Sequence, residues 1–261
     1  PVGRGLHRRL DGGDWRPVGQ LNRESGVVVL ISADAEWRAV RSLYPDATVC
    51  MSPMGEWFES GWDSPGNGFA TRKPGSSRVR FFHGGWGKIA AAASTQYVID
   101  RWKPNLLINL GTCGGFEGEI ERGTVILVER AIVYDIYEQM GDSAEHLAHY
   151  STCIDLSWLG EDIPGGVRRA LLVSGDRDLF PADIPGLKAR FGAIAGDWES
   201  GAIAYVAACN EVRCLILRGV TDLVGEQGGE AYGDPEFFAG AAEEVMARLV
   251  AALPEWLARV I

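Results

Sequence analysis

Gly196-Asp197-Trp198-Glu199-Ser200-Gly201-Ala202-Ile203-Ala204-Tyr205-Val206 runs from an acid-rich turn straight into an apolar, alanine-rich stretch of helical character. Acids at such a junction lie where the free N–H groups and the dipole of a helix start favour negative charge. Further on, Cys214-Leu215-Ile216-Leu217 is an aliphatic run that ends in Arg218-Gly219-Val220-Thr221-Asp222, the pattern of a buried strand with polar groups at its carboxyl end. In open α/β sheets that end is where ligands bind.

The same grammar repeats outward from this stretch. Val27-Val28-Val29-Leu30-Ile31 is a continuous apolar run of strand length, followed by Ser32-Ala33-Asp34-Ala35-Glu36 and an amphipathic segment from Trp37 to Leu43, so Glu36 falls at or just inside a helix start. Asp34 and Glu36 are equally readable from this stretch as ordinary first-turn acids. Val79-Arg80-Phe81-Phe82 leads through His83-Gly84-Gly85-Trp86-Gly87-Lys88 into a helix at Ile89–Trp102, and a strand at Asn105–Asn109 leads into Leu110-Gly111-Thr112-Cys113-Gly114-Gly115-Phe116. Each glycine-rich crossing lets backbone approach a ligand, and two at one sheet edge build a common floor. Neither matches a Walker loop or Gly-x-Gly-x-x-Gly.

Residues 124–134 read as strand, 137–150 as polar and irregular, and Leu171-Leu172-Val173 as a short buried strand before Ser174-Gly175-Asp176-Arg177-Asp178-Leu179-Phe180-Pro181. A helix near Ile184–Phe191, a short strand near Ala193–Ala195 and a last helix from Pro235 to Val260, kinked or ended in its main part by Pro254, complete the chain. Strands alternating with helices give an α/β class with a central, mostly parallel sheet. The polar Pro1–Ser25 is expected to be a flexible amino-terminal arm, and residues 26–261 a single domain. Residues 50–77 read as a hairpin or loop excursion whose rings, Trp57, Phe58, Trp62 and Phe69, need a surface to pack on; a pocket or a subunit face would serve.

Composition excludes several roles. A net charge of −10 leaves no clustered Lys and Arg for nucleic acid, so a small molecule is the expected partner. No apolar run is long enough for a bilayer, and five cysteines without framework spacing suit reduced thiols, so the expectation is a cytoplasmic protein without membrane contact. His146 and His149, three apart, lack a third ligand nearby, and neither a metal nor a cofactor is expected.

With the strand ends lined up, the chain resembles the nucleoside phosphorylase superfamily, and within it the 5′-methylthioadenosine/S-adenosylhomocysteine nucleosidases. The resemblance runs from about Val27 to the final helix. It is carried by Ile31-Ser32-Ala33-Asp34-Ala35-Glu36, Gly84 to Ala92, Ile108 to Gly115, Val173-Ser174-Gly175-Asp176, Asp197 to Ala204 and Arg218-Gly219-Val220-Thr221-Asp222, six segments in the family's order. It implies a three-layer α/β/α sandwich around a twisted sheet, and cleavage of the bond between ribose and purine. By the family pattern Asp222 faces purine N7 and supplies a proton, Glu199 holds the ribose hydroxyls, and Glu36 is the general base for water. Trp198, Arg218, Gly114, Gly84, Leu179 and Phe180 are the implied substrate-binding residues, with Arg218 orienting Glu199 or Asp222 rather than touching substrate.

Superfamily phosphorylases carry an arginine in the first of these loops and a hydroxyl residue in the second; here the first offers Asp34 and Glu36 and the second Gly84. Two carboxylates repel phosphate, so the expectation is a hydrolase releasing adenine from a 5′-modified nucleoside, with a phosphate-dependent phosphorylase or an inactive binding or storage relative as alternatives. Retention of all three acids speaks against the last. Trp198 stands where Met is usual, Asp197 where Glu is commoner, Ser200 for Gly or Ala, and Cys113 for Ala. A thiolate nucleophile at Cys113 lacks a nearby His, and a small packed residue is the reading preferred. The resemblance also implies a homodimer in which loops of one subunit close the other's 5′ pocket.

Overall fold

The computed structural model describes residues 26–62, 69–70, 77–141, 143–160 and 163–259; the expected arm at 1–25 lies outside them. The apolar run near the start forms β1 (Val27–Ile31), every residue of it buried. It leads to α1 (Asp34–Leu43), which has acids in its first turn and Arg41 in its last, as the helix dipole favours. The excursion is antiparallel β structure: β2 (Cys50–Ser52), β3 (Gly55–Trp62) and β4 (Phe69–Ala70), laid beside β5 (Ser77–His83). Its rings pack inward on this chain's own sheet, Trp57 against Trp102 at 5.0 Å and Phe58 stacked on Phe81 at 4.9 Å. The side chains of Trp62 and Phe69 lie outside the described ones.

Next come α2 (Lys88–Trp102), closed by Lys103 in the left-handed region just before Pro104, and β6 (Leu106–Phe116). They are followed by β7 (Val125–Val133), α3 (Ser143–His149), β8 (Ser151–Cys153), β9 (Val167–Ser174), α4 (Ile184–Phe191) and β10 (Ala195–Asp197). The chain then runs through α5 (Ser200–Cys209), β11 (Cys214–Gly225), β12 (Gly228–Gly229) and α6 (Pro235–Leu257). Three expectations shift. The short strand lies two residues later than 193–195, because Gly196 and Asp197 pair with β9. Residues 143–149 form a helix rather than irregular chain. Pro254 sits inside α6, which continues to Leu257.

Alternation along the buried strands divides the core. Val27, Val29 and Ile31 of β1, with Leu215 and Leu217 of β11, pack with Trp37 and Val40 of α1 and Met246, Leu249 and Leu253 of α6. Val28, Leu30 and Ile216 face the other way, with Ala91 and Val98 of α2 and Ile203 and Ala207 of α5. Helices thus cover both faces, the three-layer arrangement that lets strands be apolar throughout.

The sheet is mixed rather than mostly parallel. Among the described residues five strand pairings are parallel and seven antiparallel. The parallel centre β5-β1-β6-β11 matches the βαβ grammar; the antiparallel pairs come from local hairpins and from β10 and β7 turning against β6 and β11. Because β6 pairs with both β11 and β10, the strands β6-β11-β7-β9-β10 close into a circuit. The end of β1 lies beside the middle of β6, and β10, crossing antiparallel, meets the later half of β6 at Gly114–Gly115, where Asp222 of β11 also pairs. No helix among the described residues is long and apolar enough to cross a membrane.

Candidate active site

Glu36 is the third helical residue of α1, with its side chain turned back over the helix start. Its Oε2 accepts the Ala33 N–H at 3.0 Å, and its Oε1 accepts the Thr112 N–H at 2.6 Å and the Thr112 hydroxyl at 2.9 Å. These donors come from the end of β1 and from β6, so a 2% exposed carboxylate is held by neighbouring parallel strands while remaining on a cavity wall. Asp34 takes a different course: it is paired with His83 at 3.2 Å with its side chain largely exposed, and it does not line the cavity. One carboxylate, not two, therefore faces the cavity from this loop.

Glu199 is the residue just before α5. Its Oε1 accepts the Gly87 N–H at 2.9 Å, where Gly87 adopts φ 84°, a conformation that favours glycine. Behind it lies Arg218, fully buried. The Arg218 Nε donates to the Ser200 hydroxyl at 2.9 Å and forms an ion pair with Asp197 Oδ2 at 2.8 Å; Nη2 donates to Asn109 Oδ1 at 2.7 Å and stands 3.9 Å from Glu199 Oε2. Asp197 also accepts the hydroxyls of Ser174 and Ser200, each at 2.5 Å. A Cβ on Gly111 would fall 1.6 Å from Arg218 Nη1 and 2.9 Å from Glu36 Oε1, so only a glycine lets the guanidinium lie against β6 here. Burial, reinforced by the charge of Asp197 and opposed by Arg218, raises the Glu199 pKa well above the usual carboxylate range.

Asp222 is aimed by a bulge. Val220 pairs with Cys113 and Asp222 with Gly114, leaving Thr221 as the extra residue. The Thr221 hydroxyl donates to Asp222 Oδ1 at 2.9 Å. Burial pushes the Asp222 pKa up, against the Thr221 hydrogen bond, with the charges of Glu230 and Asp178 adding to the rise. Beside it is a narrow apolar slot. A Cβ on Gly114 would stand 3.3 Å from Leu179 Cδ1 and 4.0 Å from Asp222 Oδ2, and one on Gly196 2.9 Å from Leu179 Cδ2. The Tyr232 hydroxyl donates to the Leu179 carbonyl at 2.8 Å and fixes that wall.

These groups surround one cavity of about 380 Å³, with Glu36, Glu199 and Asp222 all on its wall. Among the described residues its only lining cation is Arg177, and that guanidinium is paired with Asp183 at 2.6 Å. Trp198 lines the cavity with Trp86, ring centroids 5.7 Å apart. Gly114 and Leu179 also line it.

Three expected substrate-binding residues do not. Arg218, expected to orient Glu199 or Asp222 rather than to touch substrate, is sealed behind Asp197 and Glu199 and pairs with those two and not with Asp222. Gly84 donates its N–H to Ile31 O at 2.8 Å, and its Cβ position falls 2.6 Å from Ser94 Oγ, so it lets α2 pack against β1. Phe180 is 51% exposed beneath the Arg177 guanidinium. Thr112, Asp197, Ser174 and Tyr232 were missed as site-building residues. A hydroxyl inside the second glycine crossing and an acid two residues before Glu199 were the available signals for the first two.

Cys113 is 4% exposed with its Sγ 3.7 Å from Gly219 O, and burial pushes its thiol pKa far up, which removes it as a nucleophile. His146 pairs with Glu138 at 3.5 Å, and His149 meets the Tyr205 hydroxyl at 3.1 Å. Among the described residues no group of three or more His, Cys, Asp or Glu is arranged to hold a metal ion.

Comparison with known proteins agrees with this geometry. A 5′-methylthioadenosine/S-adenosylhomocysteine nucleosidase of Maridesulfovibrio salexigens is 29% identical over 181 residues, 64% of this chain and 78% of that protein. One of Thermotoga maritima is 28% identical over 161 residues, 60% of this chain and 72% of that protein. The crystal structure of the Helicobacter pylori nucleosidase of that name, with butyl-thio-DADMe-Immucillin-A, has a TM-score of 0.71 at 15% identity and covers 88% of this chain and 97% of its own. The Neisseria meningitidis structure with methylthio-immucillin-A gives 0.67 at 19%, covering 89% and 98%. The family model of the phosphorylase superfamily matches residues 62–255. From the three-layer fold, the rim of acids and this match, the chain belongs to the phosphorylase superfamily.

Proposed function

We propose that this chain is a purine nucleoside N-ribosyl hydrolase that releases adenine from a 5′-modified nucleoside such as methylthioadenosine or S-adenosylhomocysteine. The observation that carries the reading is Glu36, on the cavity wall with donors from Ala33 and Thr112, while the only lining cation among the described residues, Arg177, is occupied by Asp183. An attacking phosphate dianion needs unpaired positive charge; a water needs a carboxylate to take its proton.

In this mechanism the base lies in the slot between Leu179, Gly114 and Asp222. The C1′–N9 bond stretches, charge builds on the ribose, and Asp222, its pKa raised by burial, delivers a proton to N7 so that the base departs neutral. Glu199 holds the ribose hydroxyls, while Glu36 deprotonates the water that attacks C1′. This is two-carboxylate glycoside chemistry applied to a nucleoside. Arg218 acts at one remove, fixing Asp197 and Glu199. The Trp86–Trp198 pair borders the ribose end.

The test is adenine release from methylthioadenosine with and without inorganic phosphate. Equal release supports hydrolysis; release only with phosphate makes the protein a phosphorylase, and none from any purine nucleoside makes it a binding protein. The same reading includes a homodimer whose subunits close each other's 5′ pockets, which a monomer in sedimentation would refute. It also takes residues 26–261 as one folding unit, which a protease-resistant core of that extent would support. A cytoplasmic setting is in keeping with five unpaired cysteines.

A further inference from the structure

The first glycine-rich crossing ends in Lys88, a cation that takes no part in the chemistry described above. Its Nζ donates to Asp135 Oδ1 and stands 3.7 Å from Asp176 Oδ2. The two acids come from different strand ends, Asp135 after β7 and Asp176 after β9. Backbone joins the same knot: Asp176 Oδ1 accepts the Lys88 N–H at 2.7 Å, and Asp135 Oδ2 accepts the Asp176 N–H at 2.9 Å. One ammonium thus ties together the start of α2 and the ends of β7 and β9.

The loop held in this way is the one that reaches Glu199. Gly87, immediately before Lys88, donates its N–H to Glu199 Oε1 at 2.9 Å. At the start of α2 it has no side chain with which to cap the helix, and Asp176 supplies that acceptor from the β9 loop. A Cβ on Gly87 would stand 3.2 Å from Asp176 Oδ1, so the clamp lies directly behind the donor. With no side chain of its own, Gly87 depends on its neighbours for the direction of its N–H. Take away the ammonium, and Asp135 and Asp176 face one another as like charges that push the loop apart.

We propose that Lys88 is a positioning residue that, by clamping Asp135 and Asp176, aims the Gly87 N–H at Glu199 and fixes that carboxylate in place. Its service to the ribose hydroxyls rests on the hydrolase reading; its hold on Glu199 does not. Burial raises the Glu199 pKa, Asp197 and Glu36 add to the rise, and Arg218 and the Gly87 N–H oppose it. Loss of that N–H therefore favours the protonated acid over the ionised form, which accepts hydrogen bonds through both oxygens.

The experiment titrates Glu199 in the unaltered chain, Lys88→Met and Asp176→Ala by carboxyl-carbon NMR on protein labelled at glutamate, with the signal assigned through Glu199→Gln. The two variants change net charge in opposite directions. A bare field effect would raise the Glu199 midpoint in Lys88→Met and lower it in Asp176→Ala, whereas loss of the Gly87 donor raises it in both, by about 1 pH unit. On the hydrolase reading, kcat for methylthioadenosine should also fall about 10–10²-fold in both, the scale of a misplaced catalytic group. The Asp176 side chain is 39% exposed, so Asp176→Ala carries the test if Lys88→Met does not fold. A midpoint that is unmoved, or that shifts in opposite directions in the two variants, overturns the proposal.

The titration needs no substrate, which separates the two claims. If the midpoint rises in both variants but no nucleoside is cleaved by the unaltered chain, the hydrolase reading falls and the role of Lys88 stands. If methylthioadenosine is cleaved without phosphate while the midpoint stays in place, the role of Lys88 falls and the hydrolase reading stands.

Discussion

Burial raises the carboxyl pKa of both Asp222 and Glu199. The folded pKa of each is raised above the unfolded carboxylate value, so each contributes stability that is full below the unfolded pKa, near 4, and is lost as pH rises through the raised folded value. Glu199→Gln, which is permanently neutral, should therefore melt like the unaltered protein near pH 4 and gain on it as pH rises. The gain should approach about 1.4 kcal/mol per pH unit while the folded state alone keeps the proton. Thermal melts across pH read this, and a flat difference would show that Glu199 is not held protonated. Asp222→Asn keeps shape but cannot transfer a proton, so turnover should fall about 10²–10⁴-fold with little change in melting temperature. Retained turnover in a steady-state adenine-release assay would remove Asp222 from the acid role.

At the scale of elements, the site depends on two long strands that lie closer together than side chains would allow. Gly111→Ala on β6 would drive a methyl into the Arg218 guanidinium and towards Glu36. A cost of about 1–3 kcal/mol in a urea titration, with a loss of turnover, is the expected result. Wild-type stability in that variant would mean that Arg218 is free to move. The bulge at Thr221 matters in a different way, since an unbulged strand would turn Asp222 to the other face of the sheet. Element identity was legible because it is local: five apolar residues in β1 and an alanine-rich α5 each declare themselves. The strand beginning at Ala195 was placed two residues early because its limits are set by pairing with β9 and β6, and pairing partners are far away in the chain. Pro254 does not end the helix, because the last turn of α6 around it buries Leu253, Trp256 and Leu257 in the core, and tertiary packing carries the helix past it.

For the whole molecule, the closed circuit of β6, β11, β7, β9 and β10 brings together acids that are distant in sequence. With Glu36, Asp178 and Asp197 on its wall and Arg177, the lining cation among the described residues, paired with Asp183, the cavity disfavours anions. Inorganic phosphate at millimolar concentration should therefore neither accelerate base release nor compete with substrate, which initial rates across a phosphate series would show; acceleration would reverse the choice of nucleophile. From the sequence came the strand-helix rhythm, the three acids at helix starts and strand ends, and the class of the fold, because hydrophobic period and capping chemistry act within a few residues. What only the tertiary structure decided was which neighbours those acids have. Arg218 turned to Asp197 and Glu199 rather than Asp222, Asp34 to His83 instead of the cavity, and Phe180 outward while Leu179 turned in. Each of those outcomes depends on contacts made across the closed sheet, where separation in space is independent of separation along the chain.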